Sequence, residues 1–107
     1  MIRHVLTLST KSKKTQGVLL EWMHLADMGK NPFPFDARVS DYELFQDRGI
    51  MDCCFDIELN YEPIPHEFLL GLLNDHPALT IEAILMFLNN SDKSEYRWTP
   101  ERGWVFG

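Results

Sequence analysis

The chain's 107 residues fall near the commonest domain size, so one core is expected, burying somewhat under ~70% of the surface of the unfolded chain. An apolar share of 45% and an aromatic share of 12% exclude a disordered acidic tail despite the net charge of −6. The longest strongly apolar run, residues 81 to 88, contains Glu82 and is far short of the ~20 residues of a membrane-spanning helix. No membrane contact is therefore expected, and the start Met1-Ile2-Arg3-His4-Val5 has no apolar block of signal-peptide length, so the expected location is cytoplasmic.

In chain order, Ile2, His4, Leu6 and Leu8 alternate with Arg3, Val5, Thr7 and Ser9, the period of a strand with one face inward. A polar stretch leads to Thr15, a candidate helix cap, and then to Val18, Leu19, Trp22, Met23, Leu25 and Ala26 at three- and four-residue spacing. Gly29 ends this helix. Asn31-Pro32-Phe33-Pro34-Phe35 cannot be helical, because each proline lacks a donor and extends its predecessor; it reads as a connector with two aromatic anchors. Residues 36 to 49 stay open in type: Val39, Tyr42, Leu44 and Phe45 suit one side of a short helix, while Asp47-Arg48-Gly49 suits a turn before a new strand.

Phe55, Ile57, Leu59 and Tyr61 alternate with Asp56, Glu58 and Asn60, which predicts a strand with one buried and one acidic face. Pro63 and Pro65 end it, and Phe68, Leu69, Leu72, Leu73 and His76 form one helical face stopped by Pro77. Residues 80 to 88 are apolar on both alternating sets, as in a central or interface strand. Residues 89 to 94 read as a turn, and residues 95 to 99 and 104 to 106 as an aromatic hairpin joined by Pro100-Glu101-Arg102-Gly103. Helices returning between strands predict an α+β, ferredoxin-like split βαβ sheet in a single domain, residues 1 to 107, with two helices on one face and a C-terminal aromatic hairpin.

Catalytic and cofactor signatures are absent. His4, His24, His66 and His76 lie on different elements without metal-ligand spacing, and the six glycines are isolated, which removes the Gly-rich phosphate cradle. Adjacent Cys53 and Cys54 are a candidate vicinal dithiol, with small apolar filler in a strand the expected role. No metal, cofactor or disulfide is expected, and the protein is expected not to be an enzyme.

Charge is the informative feature. Residues 36 to 67 hold nine carboxylates against Arg38 and Arg48, whereas residues 1 to 35 hold five cations against Glu21 and Asp27. An acidic block repels phosphate and attracts basic surfaces, so direct nucleic-acid binding is disfavoured and a basic surface of another protein is the expected partner. The expected partner-binding residues are Asp41, Glu43, Asp56, Glu58 and Glu62. A version of this reading has the carboxylates mimic nucleic acid.

The segment Tyr61-Glu62-Pro63-Ile64-Pro65-His66-Glu67-Phe68-Leu69-Leu70, followed by His76-Pro77-Ala78-Leu79 and Ile81, resembles the YubB-type ferredoxin-like domain family of phage and plasmid proteins. The resemblance covers residues 31 to 88, and Asn31-Pro32-Phe33-Pro34-Phe35 is similar to that family's earlier connector. It implies the ferredoxin-like fold and a mobile-element accessory or inhibitory role, with no catalytic residues to carry over. Two other readings remain: a small enzyme or ligand-binding domain whose site forms only in the tertiary structure or a dimer, and a homo-oligomer held through residues 81 to 88, Trp98, Trp104 and Phe106.

Overall fold

A computed structural model describes residues 2 to 59, 63 to 88 and 93 to 106. The elements in chain order are β1 (Ile2–Thr10), α1 (Lys13–Asp27), β2 (Arg38–Asp47), β3 (Ile50–Leu59), α2 (His66–Asp75), β4 (Thr80–Leu88), β5 (Lys93–Thr99) and β6 (Gly103–Phe106). They build one antiparallel sheet in the order β2-β3-β1-β4-β5-β6. Since β3 runs against both β1 and β2, those two strands are parallel with β3 inserted between them, which is the split βαβ unit. The first four strands form the ferredoxin-like sheet, and β5 and β6 extend it beyond β4.

Local chemistry sets the element ends. Ser12, not Thr15, caps α1, its hydroxyl accepting from the Thr15 amide at 3.4 Å. Thr15 is instead buried in the first turn, one of two hydroxyl residues at a spacing that suits either as cap. At the other end the Gly29 amide donates to the Ala26 carbonyl at 3.0 Å and the Lys30 amide to that of Leu25 at 2.9 Å, a Schellman closure.

The open segment resolves as strand. β2 and β3 form a hairpin in which Asp47 pairs with Ile50 across Arg48 and Gly49, both at positive φ, as a two-residue turn matched to sheet twist requires. A bulge between Val39 and Asp41 shifts the phase of β2, so Val39 and Tyr42 lie three apart yet share the inner face.

The core lies between the sheet and the two helices. His4, Leu6 and Leu8 of β1 and Met51, Cys53, Phe55, Ile57 and Leu59 of β3 are buried, the inward sets expected from period two. Tyr61 lies outside the described residues. The connector seals the core: the Phe33 ring stacks on Phe35 at 5.4 Å and meets Trp22, Phe55 and Phe68 edge-on at 5.7 to 6.0 Å. Asn31 holds its turn, its side-chain oxygen accepting from the Phe33 amide at 3.0 Å and its NH2 donating to the Phe35 carbonyl at 2.6 Å. Burying such a ring stabilises by about 1.5 to 3 kcal/mol.

The C-terminal hairpin joins the same core. Trp98 is buried, and Trp104 lies beside His4 with ring centroids 5.2 Å apart and donates its indole N–H to the Ile64 carbonyl at 2.8 Å. Phe106 stays exposed on the last strand. Lys93 and Ser94, expected in a turn, are the first residues of β5. Among the described residues, no helix is long and apolar enough to cross a membrane.

Candidate functional site

With both helices on one face, no element among the described residues covers the opposite face of the sheet, and strand register decides which side chains meet there. One row runs Asp41, Asp56, Val5, Ile84 and Arg97 across β2, β3, β1, β4 and β5. A second runs Arg38, Glu58, Arg3, Met86 and Glu95, and a third Glu43, Cys54, Thr7 and Glu82. The hairpin end adds Phe45, Asp52 and Ser9. The face is thus acidic along β2 and β3 and partly apolar at Val5, Ile84 and Met86.

Asp41, Glu43, Asp56 and Glu58 are therefore brought onto one surface; Glu62 lies outside the described residues. The block is not contiguous throughout, because Asp47 sits at the hairpin end and Glu67 on α2. Asp52, which the sequence reading did not select, belongs to the site by the period of β3. Arg3, 53 residues from Asp56, joins it through strand pairing.

Two of the carboxylates carry arginine partners. The Arg3 guanidinium donates through Nε to Asp56 Oδ1 at 2.7 Å while its NH2 group meets Oδ2 at 2.5 Å, a bidentate pair; Arg38 meets Glu58 more loosely at 3.5 Å. The hydrogen bond and charge of Asp56, with smaller contributions from Glu58 and Asp41, push the Arg3 guanidinium further up. Ser9 donates its hydroxyl to Asp52. Asp41 and Glu43 are exposed and, among the described residues, no ion pair engages them; the Asp41 carboxylate accepts from the Tyr42 amide at 2.9 Å. Five carboxylates, with Asp47 a sixth at the hairpin end, thus face two arginines on this half of the sheet, and the other half adds Glu82 and Glu95 against Arg97, which lies 3.7 Å from each.

A depression of about 180 Å³ lined by Val5, Asp41, Tyr42, Glu43, Cys54 and Asp56 lies within the acidic half. That volume is below the ~300 to 1,000 Å³ of small-molecule sites. A separate opening of about 320 Å³, lined by Ser9, Thr10, Lys11, Ile50, Ala78 and Thr80, holds none of the predicted site residues.

The groups that a hidden catalytic site would have to gather are dispersed. Asp56 and Glu58 are on the open face, Cys53 is buried on the helix side, and His66 begins α2 with Nδ1 accepting from the Trp98 indole at 2.8 Å. Burial pushes the Cys53 thiol up to about 11, with the Asp52 charge adding to the shift. Cys54 points to the other face, where the Thr7 hydroxyl lies 3.7 Å from its sulfur, and both cysteines are free. Among the described residues, no three His, Cys, Asp or Glu side chains are grouped as ligands for a metal ion.

The sequence matches no family model and no curated protein. Among solved structures, an ACT domain protein from Streptococcus pneumoniae is similar to this chain at a TM-score of 0.46 and 10% identity, over 77% of this chain and 86% of that one.

Proposed function

We propose that the protein is a non-enzymatic binding protein whose open sheet face engages a basic surface of a host protein. The observation that carries this reading is the register of β2 on β3, which sets Asp41, Glu43, Asp52, Asp56 and Glu58 side by side on a face that no described element covers. Such a face steers a basic partner at long range, and the half-buried Val5, Ile84 and Met86 beside it supply apolar area for close contact. The resemblance of residues 31 to 88 to the YubB-type family supports an accessory or inhibitory role for a phage or plasmid. A ligand-binding or catalytic role is served less well, because the acidic depression is small and the candidate groups point to different faces.

The test is capture from the source cells with the native protein and with a folded variant carrying Asp41→Asn, Glu43→Gln, Asp56→Asn and Glu58→Gln. A partner with a basic surface, retained by the native protein and lost by the variant, is the expected result. A partner retained equally by both removes the open face from consideration.

A further inference from the structure

Beyond the face lies the edge of the sheet. β2 is an outermost strand of 10 residues, and among the described residues no segment pairs with its outer side. A strand of that length offers an edge of roughly 33 Å whose outward N–H and C=O groups lack strand partners. Natural edges are commonly shortened, covered, bulged or charged; this one has a bulge after Val39 and carries charges, and beyond the bulge it runs on to the hairpin with Leu44 and Phe45 exposed.

The two sides of the edge differ in chemistry. On the open face β2 presents Arg38, Asp41, Glu43, Phe45 and Asp47, three carboxylates to one cation. On the helix side it presents Tyr42 and Leu44, and α1 runs alongside: Gln16 donates to the Gly49 carbonyl at 3.1 Å, and Asp27 accepts from the Tyr42 hydroxyl. Leu20, exposed, falls between Gln16 and Asp27 on the same helical row, so an apolar border of Leu20 and Leu44 flanks the edge.

A second copy of this chain fits the edge poorly. Two-fold antiparallel pairing keeps each face continuous only when residues of equal parity meet. Every such register centred between residues 41 and 45 sets Asp41, Glu43 or Asp47 opposite one of these same three residues. Like charges directly opposite destabilise a ladder. An added strand with cations on the open side and apolar residues on the helix side matches both borders at once.

We propose that the β2 edge binds an extended peptide segment of another protein, in which Lys or Arg alternates with apolar residues, as a seventh strand of the sheet. The inference rests on the acidic-face reading and adds to it the form of the partner. Backbone hydrogen bonds to β2 supply affinity, Asp41 and Glu43 select the cations, and Leu20 and Leu44 receive the alternate side chains.

The probe is a synthetic peptide as long as β2 that alternates Lys with Val, compared with the same peptide N-methylated at alternate amides so that its ladder donors are removed. Affinity for the full chain is measured by fluorescence anisotropy at low and moderate salt, amide exchange is followed across residues 38 to 47, and a folded basic protein serves as a third ligand. The expected result is binding that N-methylation weakens by about tenfold or more, with β2 amides gaining protection. Equal binding of both peptides without new protection overturns strand addition and leaves the open-face reading standing, as does binding of the folded protein alone. No binding by any of the three at low salt overturns both. Sedimentation showing a dimer that the peptide does not dissociate, together with amide protection of residues 38 to 47 in the absence of peptide, assigns the edge to a second copy and overturns the peptide assignment.

Discussion

The Trp98 indole donates to His66 Nδ1 at 2.8 Å, tying the C-terminal hairpin to the first turn of α2. Beside it Gly103, at φ 72°, stands where an added Cβ would meet the His66 ring at 3.4 Å. The hairpin is therefore a packed part of the core. Replacing Trp98 by Phe keeps an aromatic ring but removes the donor and leaves the imidazole nitrogen without it, at an expected cost of about 1 to 3 kcal/mol. Urea midpoints measure it, and a change within the error of the native value means that the hairpin does not depend on this bond.

The faces of β3 make a second comparison. Ile57 is fully buried between sheet and helices, so Ile57→Ala should cost on the order of 2 to 5 kcal/mol. Glu58 stands on the open face with a loose partner in Arg38, and Glu58→Ala should stay within about 0.5 kcal/mol. Reversed ordering in equilibrium unfolding would mean that the faces are exchanged.

The adjacent thiols should behave as two unlike groups. Cys54 on the open face should react with a small alkylating agent in the folded protein, and Cys53 only after unfolding, as peptide mapping of labelled protein reports. Cys53 is held protonated up to about 11 against an ordinary 9.0, and Tyr42 is raised above its ordinary 10.0 by its bond to Asp27 and by burial. Each folded-state value is raised, so the unfolded chain loses its proton first. The stabilisation is complete below about 9 and is lost as pH rises towards about 11. Urea midpoints followed through this range should fall, with Cys53→Ala removing the part of the slope that begins near 9. A slope unchanged in that variant assigns the loss to other groups.

Much of this fold was legible because its strands keep strict alternation: β1 and β3 show their inward sets directly, and prolines bracket the connector and α2. β2 was not, for a local reason. The bulge after Val39 puts two inward residues three apart, which imitates helical spacing, and the exposed edge carries too few buried residues to restore the pattern. For the site, the sequence grouped the carboxylates but not their partners. Arg3 belongs to the N-terminal third, where its charge counts with the lysines, and only antiparallel pairing of β1 on β3 brings it to Asp56. Asp52 was readable from the period of β3 once that strand is extended back to Ile50.

The pairing of Asp56 with Arg3 separates two properties of the acidic face. A field felt at a distance counts net charge, so Asp41→Asn with Glu43→Gln and Asp56→Asn with Glu58→Gln each remove two charges from the same surface. Both pairs should slow association with the captured basic partner to a similar degree, several-fold at low salt, and flatten the salt dependence alike. Dissociation depends on contacts at close range, where Asp56 and Glu58 already hold arginines while Asp41 and Glu43 stand exposed on β2. The first pair should therefore speed dissociation more than the second, whereas the second should lower stability more by leaving Arg3 without its carboxylate. Stopped-flow association, dissociation by competition and unfolding midpoints measure the three effects, once both variants are verified as folded. Association rates unchanged in both variants would mean that the partner approaches another surface, with the hairpin around exposed Phe106 the next to test.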